Sequence, residues 1–235
     1  MEKAKAQFKR LSRGRHRYAL YCLVGALLFF AAWFFAKNGQ ITGLELSVFR
    51  SINDAPKIIT EIFLGITFLG ALGTAWILAA IIFAFKRYVF AFEIFTSSTG
   101  AFLLAGLIKE AAIRARPYQL LQGVNAMGFR YSDMGFPSIH MAVFAAVAVV
   151  LMPRINVRIR AIVCALGLLV GISRIVLGMH APLDIIGGLG VGLAVGSAVN
   201  YFAGIPKPRI SISKRIKNIR RKNQKVDAQG AKYAK

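Results

Sequence analysis

The chain has 235 residues, of which 57% are apolar and 17% charged, and its 31 Lys and Arg against nine Asp and Glu give a formal charge of +22. Soluble domains carry about 45–50% apolar and about 25% charged residues, so this composition excludes an ordinary soluble enzyme and a disordered chain. Two cysteines, Cys22 and Cys164, are too few for a disulfide framework or a cysteine-rich zinc site, and their apolar surroundings predict buried thiols.

Six apolar runs each predict a membrane-spanning helix, since about 20 apolar residues cross about 30 Å of hydrocarbon. The runs are 18–36, 58–85, 88–108, 140–151, 161–177 and 183–202. The fourth is short enough for a buried helix, but its place between two longer runs predicts a crossing. The predicted fold is therefore an all-α integral membrane bundle of six transmembrane helices at 18–202, with basic tails at 1–17 and 203–235.

Between the first two runs, apolar residues recur every three or four positions at Ile41, Leu44, Val48 and Ile52. This spacing predicts a short amphipathic helix at the outer membrane interface.

The basic residues predict the orientation, because Lys and Arg concentrate in cytoplasmic loops. With six spans, 23 of the 31 lie on the side of the two tails and eight on the other. Both termini are therefore expected in the cytoplasm. The chain is expected in the plasma membrane, which in a bacterium is the inner membrane. The basic stretch 210–225 is expected either to contact anionic lipids of the inner leaflet or to be disordered, so nucleic acid is not predicted as a partner. The oligomeric state stays open.

Three polar segments fall together on the predicted outer side, at 109–117, 137–140 and 173–184. Lys109, Arg116 and Arg174 present three cations without a matching cluster of acids, a pattern that favours a phosphate ligand. Ser138 stands where a helix N-cap is expected, and a helix N-terminus also attracts anions.

Two of the three histidines belong to the same segments, which indicates chemistry rather than binding alone. Asp184 follows His180 by four residues and is expected to orient its ring, leaving the other nitrogen free to attack phosphorus. His140 is expected to donate a proton to the leaving oxygen. No metal or other cofactor is predicted, because no carboxylate cluster suited to Mg²⁺ is evident on this side.

These segments resemble the signature of the type 2 phosphatidic acid phosphatase family, of the acid phosphatase and vanadium haloperoxidase superfamily. That signature reads K-x6-R-P, P-S-G-H and S-R-x5-H-x3-D. The first and third motifs are intact here, whereas the second has Ile139 in place of its glycine. The matching residues are Lys109, Arg116, Pro117, Pro137, Ser138, His140, Ser173, Arg174, His180 and Asp184.

The resemblance implies a membrane-bound lipid phosphatase with a phosphohistidine intermediate on His180, His140 as general acid and Asp184 orienting His180. It also implies that Lys109, Arg116, Ser138 and Arg174 hold the phosphate, with a backbone contact at Ile139. The substrate is expected to be a polyprenyl diphosphate, such as undecaprenyl diphosphate, or phosphatidate or phosphatidylglycerophosphate. Phosphate transfer between lipids, and lipid-phosphate binding or transport without catalysis, remain alternatives.

Other residues receive more ordinary interpretations. Arg114 and Arg130 are expected to contact either lipid headgroups or the substrate, and Asp133 to be a solvated loop residue. A run of glycines in the last span predicts close packing between helices. These are Gly187, Gly188, Gly190, Gly192 and Gly196.

Overall fold

All regular secondary structure in the described part of the chain is helical, which confirms the predicted all-α fold. The computed structural model describes residues 2–128 and 133–203, with side chains from residue 15 onward; Arg130 and the predicted tail from residue 204 lie outside this part. Two short 3₁₀ turns, Thr67–Gly70 and Met152–Arg154, follow α3 and α7. The described helices are α1 (Glu2–Ala36), α2 (Gly43–Asn53), α3 (Lys57–Ile66), α4 (Leu72–Ala84), α5 (Tyr88–Ala111), α6 (Pro117–Leu120), α7 (Ile139–Leu151), α8 (Val157–Val176) and α9 (Pro182–Ala203).

Four of the described helices are long and apolar enough to cross a membrane: α1 from Arg15 onward, α5, α8 and α9. The pair α3 and α4 makes a fifth crossing if its two bent halves act as one span. Helix α7, with 13 residues, is shorter than a usual span. The described helices thus provide four or five candidate spans, and the count of six remains a prediction.

The apolar run 58–85 is not the single continuous helix that the sequence predicts. Its two halves meet at the 3₁₀ turn, where their axes bend by 54°. The bend lets the backbone at Gly70 lie against α7, since a Cβ at this position would come within 2.8 Å of the carbonyl oxygen of His140. The turn therefore packs against the segment that carries one of the predicted functional histidines.

Helix α7 lies at the centre of the bundle. Its residues Val143 and Val147 pack with α4 and α5 in one apolar cluster, and Ala142 and Ala146 pack with α5 and α9 in another. A helix surrounded by other helices in this way has few positions left to face lipid. Burial among neighbours therefore accounts for the uniform apolarity of this short helix.

The predicted close packing of the glycine-rich helix is confirmed. A Cβ at Gly196 would lie 2.6 Å from the carbonyl oxygen of Ala146 on α7, and one at Gly190 would lie 2.6 Å from the amide nitrogen of Phe29 on α1. Small residues let helix backbones approach this closely in a membrane, where the hydrophobic effect does not drive helices together. Helix α9 is accordingly held between α1 and α7.

The outside of the bundle is strongly apolar. Phe35, Leu107 and Leu168 are 69%, 65% and 70% exposed. Cys164 is also exposed, so the prediction that both thiols are buried is wrong for this one. The reason is that apolar residues of a spanning helix are directed outward to lipid as well as inward, so apolar surroundings in the sequence do not imply burial in the protein.

The predicted amphipathic helix corresponds to α2. Two members of the predicted apolar stripe face outward, since Leu44 is 81% exposed and Val48 is exposed as well, whereas Ile52 is half-buried and Ile41, which precedes α2, is buried. The opposite face is packed on the protein, with Phe49 and Asn53 buried. Helix α2 therefore has an outward apolar surface and a second face that contacts the rest of the bundle.

Candidate active site

The last turn of α5 carries Lys109 into the interior at one end of the bundle. Its Nζ donates hydrogen bonds to the carbonyl oxygens of Met134 and, at 3.4 Å, Gly135. The same nitrogen lies 3.5 Å from Asp133 Oδ2. Lysines are rarely buried without partners, and here the loop that precedes α7 supplies them.

Arg116 precedes α6 and extends its guanidinium toward the same loop and toward His180. Its Nε and Nη2 donate to Asp133 Oδ1 at 3.1 and 2.6 Å. Its Nη1 donates to the carbonyl oxygen of Met179 at 3.2 Å and lies 3.3 Å from His180 Nε2. The guanidinium of Arg116 thus pairs with the carboxylate of Asp133 and also lies beside Nε2 of His180, the ring nitrogen that is predicted to react.

Asp133 is a loop residue whose side chain is 41% exposed, as the sequence predicts, but it also forms ion pairs with both Lys109 and Arg116, which the sequence does not predict. Its partial burial would raise its pKa, but the hydrogen bonds from Arg116 and the charge of Lys109 outweigh this effect and lower the pKa. Asp133 is therefore an anion that lies on two of the predicted phosphate-binding cations.

His180 lies in the turn between α8 and α9, with Asp184 in the first turn of α9. The backbone N–H of His180 donates to the carbonyl oxygen of Arg174 at 3.1 Å, which holds the turn against the end of α8. Asp184 Oδ2 accepts the backbone N–H of Ala181 at 2.8 Å and lies 3.5 Å from His180 Nδ1. The carboxylate is therefore fixed behind one ring nitrogen while the other faces Arg116.

The surroundings of His180 favour its neutral form. Burial is the main cause that lowers its pKa well below 6.5, and the positive charges of Arg116, Lys109 and Arg174 lower it further. A neutral ring that directs Nδ1–H toward Asp184 has its lone pair on Nε2. In this tautomer the lone pair is directed toward Arg116, which lies 3.3 Å from Nε2.

The start of α7 joins this group through its backbone. The N–H of Ser138 donates to the carbonyl oxygen of Asp184 at 2.9 Å. Ser138 is the N-cap residue, as predicted, but its side chain makes no capping hydrogen bond. Its buried Oγ has no hydrogen-bond partner among the described residues, so it is available to a ligand.

Arg174 reaches the site from the end of α8, and its Nη1 donates to Thr67 Oγ1 at 2.8 Å. Thr67 belongs to the 3₁₀ turn between α3 and α4, and the sequence analysis did not identify it as a site residue. In the sequence, Thr67 is a hydroxyl-bearing residue within an apolar run. This pattern is equally typical of a threonine that only packs between helices.

A cavity of about 300 Å³ adjoins His140 and Arg174. The rest of its lining is largely apolar and comes from the α3–α4 bend, α5, α7 and the segment before His180. Among these residues are Leu64, Phe68, Phe102, Ile139, Leu177 and Met179. The polar site therefore opens directly onto an apolar space.

Arg114 fits neither of the two predicted alternatives, lipid headgroup or substrate contact. It is 1% exposed, and its Nη2 lies 2.5 Å from Glu45 Oε2 on α2. Its Nη1 lies 3.5 Å from Asp184 Oδ1. The sequence analysis missed Glu45, because nothing in its local pattern indicates a partner 69 positions away.

The structure thus brings the residues of the three predicted motifs to one end of the bundle. A neutral imidazole backed by a carboxylate and faced by cations has the arrangement of a nucleophile for phosphoryl chemistry. Within residues 2–128 and 133–203, no group of three or more His, Cys, Asp or Glu side chains is placed to hold a metal ion.

Comparison with known proteins places this site in a family. Residues 90–205, which include all three motifs, match the model of the PAP2 superfamily. Over these residues the chain is similar to the PAP2 superfamily. The expectation drawn from the three motifs is therefore confirmed at the level of the family.

Three relatives within this superfamily narrow the comparison. Undecaprenyl-diphosphatase BcrC of Bacillus subtilis is 33% identical over 85 residues, which cover 36% of this chain and 44% of that protein. The crystal structure of LpxE from Aquifex aeolicus has a TM-score of 0.58 and 27% identity, covering 67% of this chain and 95% of that one. The transmembrane PAP2-type phosphatidylglycerolphosphate phosphatase of Bacillus subtilis has the same TM-score and 25% identity, covering 80% and 94%. The fold of this chain is thus that of membrane phosphatases.

Proposed function

We propose that the chain is an integral-membrane lipid phosphatase that hydrolyses a lipid phosphate or diphosphate through a phosphohistidine on His180. The observation that carries this proposal is the position of the His180 ring, with Asp184 3.5 Å from Nδ1 and Arg116 3.3 Å from Nε2. The match of residues 90–205 to the model of the PAP2 superfamily supports the same reaction class.

In the first step, the lone pair of His180 Nε2 attacks phosphorus and the bond from phosphorus to the leaving oxygen breaks. His140 donates a proton to that oxygen, so the lipid departs as an alcohol or, from a diphosphate, as a monophosphate. The phosphorylated ring becomes cationic, and Asp184 stabilises it through the Nδ1–H.

In the second step, water attacks the phosphorus of the phosphohistidine and His140 takes the proton that the water loses. The bond from phosphorus to Nε2 breaks, inorganic phosphate leaves, and both histidines return to their initial protonation states. The site residues supply this chemistry themselves, so the proposal includes no metal or cofactor.

Lys109, Arg116 and Arg174 are proposed to stabilise the charge on the non-bridging phosphate oxygens. Ser138 Oγ and the backbone N–H of Ile139 at the start of α7 are proposed to donate further hydrogen bonds. The isoleucine is compatible with this role, because its side chain packs against the apolar clusters around α7. Its backbone is unstrained as well, since Lys86 is the only non-glycine residue with a positive φ in the described part of the chain.

A lipid substrate is supported by the apolar cavity that adjoins His140 and Arg174. A lipid whose phosphate lies on the cations has an apolar space beside it for the start of its tail. The similarity to an undecaprenyl-diphosphatase makes undecaprenyl diphosphate the first substrate to test, with phosphatidate and phosphatidylglycerophosphate after it.

The proposed topology has six crossings: α1, the bent pair α3 and α4, α5, α7, α8 and α9. Helix α7 with its 3₁₀ extension reaches about 25 Å, which approaches the thickness of the hydrocarbon core. Basic residues Lys86, Arg87, Arg154 and Arg158 lie at the helix ends opposite to the site. By the positive-inside rule, that end and both termini face the cytoplasm, the basic tails contact anionic lipids there, and the site faces the outer side.

The test is phosphate release by the detergent-purified protein from the three lipids, measured with EDTA present. We expect release that EDTA does not reduce and that falls about 1,000-fold or more in His180→Ala. His16→Ala is the matched control, because His16 is exposed and lies outside the site, and it is expected to keep full activity.

Two results would contradict the proposal. Folded wild-type protein that releases no phosphate from any of the lipids would exclude hydrolysis of these substrates, and labelled phosphate appearing on an added acceptor lipid would then indicate transfer. A His180→Ala variant with full activity would exclude the phosphohistidine.

A further inference from the structure

Helix α2 contacts both ends of the turn that carries His180. At the end of α2, the buried Asn53 donates from Nδ2 to the carbonyl oxygens of Ile175 and Val176 at 3.1 and 3.0 Å. These two carbonyls belong to the last turn of α8, directly before the His180 turn. Asn53 thus fixes the position at which α8 ends.

At the start of α2, Glu45 performs the corresponding task for α9. Its Oε1 accepts the backbone N–H of Leu183 at 2.9 Å, at the beginning of that helix. Its Oε2 lies 2.5 Å from Arg114 Nη2. One helix on the surface of the bundle therefore holds residues on either side of His180.

Arg114 connects this support to the site itself, because its guanidinium lies between two carboxylates. Nη2 contacts Glu45, while Nη1 lies 3.5 Å from Oδ1 of Asp184, the oxygen that does not face His180. Asp184 is fully buried, and a buried carboxylate stays ionised only if a nearby positive charge or hydrogen bonds compensate for lost water. The charged and titratable groups that act on it are Arg114, Glu45, His180 and Lys109.

The two arginines of the 109–117 segment thus act on opposite sides of the His180–Asp184 pair. Arg116 lies at His180 Nε2, where phosphate is proposed to bind. Arg114 lies behind Asp184 and contacts α2 instead. A residue in this second place affects the nucleophile without touching the substrate.

We infer that Arg114 and Glu45 are positioning residues for His180, and that α2 is a brace that holds the His180 turn in its reactive geometry. This inference rests on the proposed function, because it concerns what orients the proposed nucleophile. The outward apolar stripe of α2 and this inward role are compatible, since they use opposite faces of the helix.

The test compares kcat and KM of Arg114→Met, Arg114→Lys and Glu45→Gln on the lipid that the wild type hydrolyses. Arg114→Met is expected to lower kcat about 10- to 100-fold, as loss of supporting residues around a reactive group commonly does, while KM changes by less than about twofold. Arg114→Lys restores part of kcat by restoring the charge. Glu45→Gln lowers kcat less, because its single amide oxygen still accepts from one of the two donors, Leu183 N–H or Arg114, and only the other contact is lost.

Arg154→Met is the matched control. Arg154 forms a buried ion pair with Glu93 at the other end of the bundle, so its loss also leaves a buried carboxylate unpaired. We expect this variant to lose thermal stability while kcat of the folded protein stays unchanged. A kcat decrease specific to Arg114 therefore separates positioning of His180 from general destabilisation.

A double variant provides a readout that does not depend on catalysis. Arg114→Met leaves Glu45 and Asp184 without their shared cation, which is expected to lower the melting temperature by about 5 °C or more. Adding Glu45→Gln removes one of the two unpaired carboxylates, so part of that stability returns while kcat remains low.

The outcomes separate this inference from the function on which it rests. An active wild type whose Arg114→Met variant keeps its kcat, or raises KM alone, overturns the positioning role and leaves the phosphatase proposal intact. A kcat decrease no larger than that of Arg154→Met overturns it as well. A folded wild type without activity on any lipid overturns both proposals.

Discussion

The two ends of the helical bundle each contain a buried pair of arginine and glutamate, and the pairs differ in what they contact. Arg114 and Glu45 lie beside Asp184, and a network of polar contacts continues from them to His180 and Arg116. Arg154 and Glu93 have the apolar ring of Phe90 beside them, with the guanidinium 4.5 Å from its centre. One pair of arginine and glutamate therefore lies beside the proposed catalytic residues, and the other lies beside an apolar ring between packed helices.

This difference indicates how the chain uses buried charge. An isolated buried ion pair contributes little net stability, because desolvation offsets the attraction between the charges. At the His180 end the cost of desolvation is shared among several ion pairs and hydrogen bonds, and a bound phosphate would be a further partner of the cations. Substitutions at the two ends should therefore differ in kind: those near His180 alter turnover and those at the far end alter stability.

The largest effect is expected where the backbone of a neighbouring segment packs closely on His140. Gly70→Ala would place a Cβ 2.8 Å from the carbonyl oxygen and 3.0 Å from Cβ of His140, so His140 and the Gly70 turn must move apart. A displacement of about 1 Å in a reacting group can cost about 100-fold, and we expect kcat to fall about 10- to 100-fold. Steady-state kinetics on the preferred lipid measures this.

The matching substitution toward the other end is Gly196→Ala, whose Cβ would lie 2.6 Å from the carbonyl oxygen of Ala146. It is expected to lower the melting temperature and to leave kcat of the folded fraction unchanged. If both glycine variants lose the same share of kcat, the distinction between the two ends fails.

A smaller effect is expected at Asp133. Its carboxylate occupies Lys109 and Arg116, so substrate phosphate must replace it there. Asp133→Asn keeps the size of the side chain and removes its charge. We expect KM to decrease about two- to fivefold and inhibition by inorganic phosphate to strengthen. The effect is limited because an ion pair with a solvent-exposed partner is worth only up to about 1 kcal/mol. An increase in KM would show instead that Asp133 holds Arg116 in its binding orientation.

The smallest expected effect is that of pH on kcat/KM. A histidine nucleophile loses activity as pH falls through its pKa, and burial together with the cations lowers the pKa of His180 well below 6.5. As pH falls from about 8 to about 6, therefore, protonation of His180 should lower kcat/KM by less than about twofold, once ionisation of the substrate and of the proton donor His140 is taken into account. A loss of activity as pH falls through about 6.5 would show that the nucleophile has the pKa of an ordinary histidine.

The sequence predicts the parts of the site that depend on local spacing. The intervals from Lys109 to Arg116 and from His180 to Asp184 are short, and hydropathy alone places the three motifs on one side of a membrane. Helix type could be predicted for the same reason, since long apolar runs leave few other structures in lipid.

What the sequence does not predict are contacts between distant segments. Glu45 meets Arg114 and Thr67 meets Arg174 across 69 and 107 positions, and no local pattern encodes either pair. The bend at Gly70 was missed because hydropathy is continuous across it. The ion pairs of Asp133 with Lys109 and Arg116 were missed, because nothing local in a polar loop shows that it folds back onto these cations.

The close backbone contacts of α9 with α1 and α7 also limit how the helices of the bundle can move apart. The backbone of α9 lies against α1 at Gly190 and against α7 at Gly196, with no space for even one additional carbon atom. Two helices in such contact cannot slide or roll past each other without clashing. A long lipid would therefore have to reach the cations by a route that leaves these contacts along α9 intact. The apolar cavity lies on such a route, because its lining among the described residues includes none of α1 or α9.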